Sequence, residues 1–427
     1  MLESQIEADG RQPPAPTIEA PEPALTPQIA IARAEALIPQ LREEQMEADQ
    51  RGHYSDSIHE KMLAGGLYRL VQPKMFGGYE FKWTDFLRVV HTIARGHPSS
   101  GWCFCLSTSH AHLLGSHWSE QAQRELFGPT GDFRSPHRAA PGGVFKPVDG
   151  GYIANGTWSY SSGIPYATHF CGGTLIPNAE GKVRPANFFV SRDKVTVLPD
   201  WGGDNALGMQ GSGSNSVKLE DVFVPSHHLA FGDVLFGRDF DWTKGTPGAR
   251  LHRNPMYLGV VGGPYHLTFS AIMSGTARAA LDEYETVLSE RKAYGGGGGK
   301  MAGDPDVIRH VGEVLTLIEC AEAIMFGAME HWDRYIERWA RTGEAMTPED
   351  TMRMWAMGRQ SSFMSCQAVE IMFHSSGVAS ANRGQRLQRY FRDVQMFRIH
   401  PSSQNWVPDA RGQTHMGLPP LKFAGRT

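Results

Sequence analysis

The 427-residue chain is poor in the features that fix a class by themselves. Cysteine is scarce: Cys103, Cys105, Cys171, Cys320 and Cys366 are odd in number and show no Cys-x-x-Cys spacing. That argues against a disulfide framework or a thiolate zinc site and predicts a reducing, cytoplasmic setting. No apolar run approaches the roughly 20 residues that span a bilayer, and no basic segment followed by an apolar one resembles a secretory signal. With a formal charge of −4 and a pI near 6.5 there is no basic field for nucleic acid. Neither a membrane nor a nucleic acid is expected as a partner. Glu-x-x-His is absent, which argues against a di-iron bundle, and no other metal-ligand set stands out. The run Gly295–Gly299 follows a helical stretch rather than a strand and lacks Gly-x-x-x-x-Gly-Lys-Ser/Thr. It reads as a mobile loop, so no strong NAD(P)H or phosphate motif is present.

What is present has a clear order. Residues 1–27 carry six prolines among scattered acids and read as a flexible arm. From residue 28 the spacing turns helical, with Ala30, Ala34, Leu37 and Leu41 on one face and Pro39 inside the run. Further helical stretches to residue 127 predict an N-terminal helical domain over 28–127. From 128 to 240 the texture is Gly- and Pro-rich with short β-branched runs, predicting a central β domain. Within it, Asn155-Gly156 signals a hairpin turn, followed by a strand that sends Trp158 and Tyr160 one way and Ser159 and Ser161 the other. Helical periodicity over about 257–293, 304–341, 347–374 and 384–398 predicts a bundle within 241–400, and 401–427 reads as a tail. The class is α+β.

Three stretches carry chemistry. The run Ser161-Ser162-Gly163 ends the second strand with hydroxyls and a glycine that lets backbone approach a ligand. His110 falls about two helical turns after Trp102 in a small-residue helix, and a buried histidine there is also an ordinary core residue. The third stretch, Arg389 to His400, ends a helix on a histidine whose plain role is a C-terminal cap.

Together these stretches bear a likeness. Asn155-Gly-x-Trp158-x-Tyr160-x-Ser162-Gly163, followed by Ala167, resembles the flavin-binding strand of the acyl-CoA dehydrogenase fold. It is more similar to the two-component flavin monooxygenases built on that fold. Residues 66–80 (Gly66, Leu67, Pro73, Gly77, Gly78, Glu80), Leu207–Pro225, Gly275–Lys292 and the Arg392-Asp393 pair extend the likeness from about residue 30 onward. It implies an acyl-CoA dehydrogenase-like fold: an N-terminal helical domain, a central β-barrel-like domain and a C-terminal four-helix bundle. The dehydrogenases of the common subclass place a catalytic glutamate beyond the Arg-Asp pair. This chain has His400-Pro401 there, which weakens that reading and favours the oxygenase branch.

The resemblance implies an oxygenase component that uses reduced FMN or FAD and O2, through a C4a-(hydro)peroxyflavin, to hydroxylate a small aromatic, phenolic substrate. A separate NAD(P)H:flavin reductase would supply the flavin. His400, Ser162 and His110 are the implied catalytic residues, with His112 as fallback for His110 and His117 as structural. Trp158, Tyr160, Ser162, Gly163, Ser212 and Arg291 are implied around the cofactor, Arg291 toward a neighbouring subunit. Ser135, Phe104, Tyr257 and His266 are implied around the substrate. A homotetramer is implied, for which the face of Ala321, Met325, Met329 and Met372 is a candidate alongside packing inside the bundle. A dehydrogenase of acyl thioesters and a non-catalytic scaffold of the same fold are the rival readings.

Overall fold

The computed structural model describes residues 15–177, 181–234, 244–259, 262–291, 301–344 and 346–418. The glycine run at 295–299, residues 1–14 of the arm, part of the 241–256 connection and the end of the tail lie outside the described residues.

Helix α1 (Pro27–Glu43) starts where Thr26 caps it, its hydroxyl accepting from the Ile29 amide, with Pro27 in the first turn. It buries Ala30, Ala34, Leu37 and Leu41, the face expected from spacing. Helices α2 (Gln45–Arg51) and α3 (Asp56–Ala64) follow. Helix α4 (Trp83–Gly96) is strongly amphipathic and buries Trp83, Phe86, Leu87, Val90 and Ile93. The short helices α5 (Pro98–Thr108) and α6 (His110–His117) are buried on nearly every side, so both faces are available to hold a site. Helix α7 (Glu120–Phe127) closes this part. Residues 15–26, expected as part of a loose arm, are docked. The Thr17 and Ile18 amides donate to the Met75 carbonyl, and Leu25 is buried. Apolar Ile18 and Leu25 have a surface to cover, which outweighs the prolines.

Eight strands follow among the described residues: β1 (His137–Pro141), β2 (Val144–Val148), β3 (Gly151–Trp158), β4 (His169–Pro177), β5 (Val183–Ser191), β6 (Thr196–Val197), β7 (Val217–Pro225) and β8 (Leu229–Phe231). They form two four-stranded sheets, ordered β1-β4-β5-β8 and β2-β3-β7-β6. Phe145, Trp158, Phe170, Phe188 and Val217 from the two sheets share one core. The hairpin turn is not at Asn155-Gly156. It is at Asp149-Gly150, where Val148 pairs with Gly151 and Gly150 has φ 74°. Asn155-Gly156 instead lies within β3 at a register shift against β7, and the Asn155 amide exchanges hydrogen bonds with Asp221 across the strands.

Helix α8 (Pro247–His252) leads to the bundle: α9 (Gly262–Glu290), α10 (Pro305–Thr342), α11 (Pro348–Ser375) and α12 (Arg386–Arg398). Asp304 caps α10, and Thr347 with Asp350 forms a capping box on α11. Ala321, Met325, Met329 and Met372 are fully buried in the chain's own core, so that face is spent inside the subunit. Residues 406–416, expected as tail, form helix α13 (Trp406–Met416), with Val407 packed on Met352 and Trp355 of α11. No helix among the described residues is long and apolar enough to cross a membrane.

Candidate active site

The end of β3 is where sequence and site meet. The strand stops at Trp158, and the chain turns through Tyr160 at φ 62° and Gly163 at φ 91°. The Gly163 amide donates to the carbonyls of Ser212 (3.2 Å) and Gly213 (3.0 Å). A Cβ on Gly163 would lie 2.4 Å from Ser107 Oγ, so only glycine fits against α5. This turn lines up three buried hydroxyls: Ser162 Oγ is 2.7 Å from Ser214 Oγ, which is 2.6 Å from Ser212 Oγ. The same turn reverses an expectation. Trp158 and Tyr160 do not share a face. Trp158 fills the core and its indole N–H donates to the Gly173 carbonyl (2.9 Å), whereas Tyr160 is 62% exposed, edge-on to Trp201.

The hydroxyl chain is braced from α12. Asp393 Oδ1 accepts from the Met209 amide (2.6 Å), and Arg392 Nη1 donates to the Leu207 carbonyl (2.7 Å). The Arg392-Asp393 pair therefore fixes the segment that carries Ser212 and Ser214. Burial, with the charge of Asp49, pushes the Asp393 carboxyl up to about 7.

His110 opens α6. Its Nδ1 lies 2.7 Å from the Leu106 carbonyl and 2.8 Å from the Ser135 carbonyl. Both are acceptors, so Nδ1 carries the hydrogen and Nε2 presents a lone pair. Burial lowers its pKa to about 4, which keeps it neutral at pH 7. Ser135 is fully buried; its backbone orients His110, and its hydroxyl donates to the Pro136 carbonyl (2.8 Å). His137, two residues on, packs edge-on against His110 and bonds to Asn187 Oδ1 through Nε2 (2.8 Å). His137 was not singled out by sequence; its place two residues after Ser135, at the start of β1, is the signal that was available.

His400 follows α12 and caps the next turn. Its Nδ1 accepts from the Ser402 amide (3.2 Å), which leaves the hydrogen on Nε2. It therefore caps the start of a turn rather than the end of a helix. Burial first, and the charge of Arg138 second, lower its pKa to about 4. Its ring lies among Trp102 (5.4 Å), Phe269 (5.0 Å) and Phe397 (6.1 Å). The two histidines thus hold opposite tautomers: a bare Nε2 on His110 and an Nε2–H on His400.

The other implied residues are placed as follows. Phe104 is buried between Tyr68 and Phe86, in the helical core. Tyr257 is buried, stacked on His112, with its hydroxyl donating to the Val71 carbonyl. His112 and His117 are tied through Nε2 to the carbonyls of Met256 and Gly259, as structural histidines are. His266 stacks on Trp355 (4.4 Å), and Phe269 of α9 contacts both His266 and His400, whose charge acts on His266. Both nitrogens of His266 are buried without a partner. Arg291 Nη1 donates to the Ser376 carbonyl (2.8 Å) and Ser380 Oγ (3.1 Å), pinning the end of α9 to the turn after α11.

For a metal, the described residues offer one group with suitable atoms within 4.8 Å of one another: Glu125, His227 and His228. There the Glu125 carboxylate accepts from both imidazoles (2.6 and 2.9 Å), joining α7 to the turn after β7. It shares no residue with the site above.

Residues 267–405 match the family model described as acyl-CoA dehydrogenase, C-terminal domain. The flavin-dependent monooxygenase oxygenase subunit HsaA of Rhodococcus jostii (strain RHA1) is 30% identical over 87% of this chain and 94% of that protein. The p-hydroxyphenylacetate 3-hydroxylase oxygenase component of Acinetobacter baumannii is 25% identical over 93% of this chain and 92% of its own. Among solved structures, the 3-HSA hydroxylase from Rhodococcus sp. RHA1 superposes with a TM-score of 0.81 at 27% identity, covering 91% of this chain and 97% of that one. The chain therefore belongs to the oxygenase subunits of flavin-dependent monooxygenases built on the acyl-CoA dehydrogenase fold.

Proposed function

We propose that this protein hydroxylates a phenolic substrate as the oxygenase component of a two-component system, taking reduced FMN or FAD from a separate NAD(P)H:flavin reductase. One observation carries the reading: two neutral histidines of opposite tautomer, His110 with a free acceptor at Nε2 and His400 with a donor at Nε2. The names of curated relatives, among them a p-hydroxyphenylacetate hydroxylase, support the substrate class.

The residues at the turn after β3 suit a flavin. A planar ring with polar edges needs an open aromatic surface, a hydroxyl at its rim and backbone free of side chains. Tyr160 and Ser162 supply the first two, and Gly163, packed against α5, holds the turn that presents them. Bound reduced flavin supplies the electrons that activate O2, one oxygen entering the substrate and the other leaving as water. Ser162 would hold the proton at the flavin N5, its own oxygen fixed by Ser214 and Ser212. The His110 Nε2 accepts the phenol proton, which raises electron density on the ring where oxygen enters. His400 keeps a proton at Nε2 and offers it on the oxygen side of the site. Trp102, Phe269 and Phe397 exclude water around it. Ser135 positions His110 through its carbonyl. Oxygenation of nitrogen or sulfur needs no phenol base, so His110 favours a ring hydroxyl.

Arg291 at a neighbouring subunit's flavin phosphate, and a homotetramer, belong to the same proposal; light scattering should give about four times the 47.1 kDa chain mass. The decisive assay supplies photoreduced FMN or FAD, isotopically heavy O2 and a panel of phenols. Heavy oxygen in a hydroxylated phenol supports the reading. Hydrogen peroxide alone, across the whole panel, contradicts it.

A further inference from the structure

Arg138 follows His137 on β1, paired in register with Gly172 of β4. It is half-buried, its chain neighbour His137 packs edge-on against His110, its charge acts on His400, and Tyr160 lies near enough to act on it. His400 and Tyr160 belong to the two halves of the candidate site. Among the described residues the Arg138 side chain makes no hydrogen bond and no ion pair, and no carboxylate acts on it. Four other arginines of the fold are committed. Arg134 pairs with Asp132 and the Tyr166 carbonyl, Arg359 donates to the Ser403 carbonyl, Arg389 pairs with Asp49, and Arg398 pairs with Glu370.

A guanidinium has five donors and cannot shed its charge. Holding one partly out of water with no acceptor is unfavourable, and a fold of net charge −4 has no shortage of acids to pair it. The planar fork matches an oxyanion with two oxygens on one atom. We propose that Arg138 is the oxyanion receptor of this site, taking either the carboxylate of an acidic phenol or the phosphate of the flavin. The proposal rests on the phenol-hydroxylase reading above and adds to it that a bound ligand carries a negative group at the Arg138 side.

The test is anaerobic binding without turnover, on the full chain and its Arg138→Gln and Arg138→Lys variants. Two matched pairs serve as probes: reduced FMN against reduced riboflavin, and, on flavin-loaded protein, 4-hydroxyphenylacetate against 4-ethylphenol. Arg138→Gln should weaken the charged member of one pair by on the order of tenfold to a hundredfold, leaving its neutral member unchanged. Arg138→Lys should fall between the two. Loss in the flavin pair assigns a phosphate; loss in the phenol pair assigns a carboxylate. Unchanged ratios of charged to neutral affinity in both pairs would overturn the receptor while leaving the hydroxylase reading intact. Wild-type protein that binds neither reduced flavin would instead overturn that reading, and the receptor with it.

Discussion

At the scale of single residues, two histidines whose protonation the fold decides and one buried hydroxyl carry the chemistry. His110 and His400 titrate near 4 because burial opposes their charged forms, so neither is an imidazolium at neutral pH. His110→Ala should lower turnover on a phenol by about a hundredfold or more, the usual worth of a positioned general base. Reduced-flavin binding should persist in that variant; if binding is lost and turnover per bound flavin is not, His110 is a scaffold residue. Ser162→Ala and His400→Ala should instead uncouple the reaction, consuming reduced flavin while releasing more hydrogen peroxide. Coupling at the wild-type level in both would remove their assigned roles. All three residues stood out in the sequence as candidates because each sits in a stretch that carries the family resemblance. His137 did not, because its contact with His110 of α6 joins two segments that only the fold brings together.

At the scale of elements, the brace between α12 and the 207–214 segment ties distant parts of the chain to one hydroxyl. Asp393 presents one oxygen to the Met209 amide and keeps the other buried without a partner. Asp393→Asn preserves the acceptor and should leave stability and coupling close to wild type. Asp393→Ala leaves the buried amide unsatisfied and should cost about 1–3 kcal/mol in denaturant unfolding. If the two variants behave alike, the brace is not what holds Ser212 and Ser214. The Arg392-Asp393 pattern was visible in the sequence as a likeness, but its partner at Met209 was not, since nearly two hundred residues separate them. Asn155-Gly156 teaches a similar lesson. The dipeptide favours a turn locally, yet Asp149-Gly150 closes the hairpin and the cross-strand pairing of Asn155 with Asp221 keeps β3 continuous. Register across β7 overrides the local preference.

At the scale of the whole molecule, burial of neutral histidines makes stability depend on pH. His110, His112, His117, His137, His169, His252, His266 and His400 all have pKa values lowered to about 3 or 4, mainly by burial. An unfolded chain takes up protons on these groups below about pH 6.5, while the folded chain resists until about pH 4. Their contribution is therefore complete above pH 6.5 and lost as pH falls toward 4. Asp393, raised to about 7, acts in the opposite sense as a single group. Denaturant midpoints should be level just above neutrality, before the buried thiols begin to count, and fall progressively steeper between about pH 6.5 and 4. A midpoint unchanged across that window would show that these imidazoles charge freely. The large helices and the strand-rich centre were readable from spacing and texture. Docking of residues 15–26 and helix α13 were not, because their few apolar residues gain meaning only from the surfaces they cover.

The central claim is that this site holds reduced flavin so that oxygen is transferred to a phenol rather than lost as peroxide. Anaerobic protein loaded with reduced FMN or FAD should be mixed with O2 in a stopped-flow spectrometer. The account predicts a long-lived absorbance band distinct from oxidised flavin, shortened in Ser162→Ala. Immediate appearance of free oxidised flavin in the wild-type protein would contradict it.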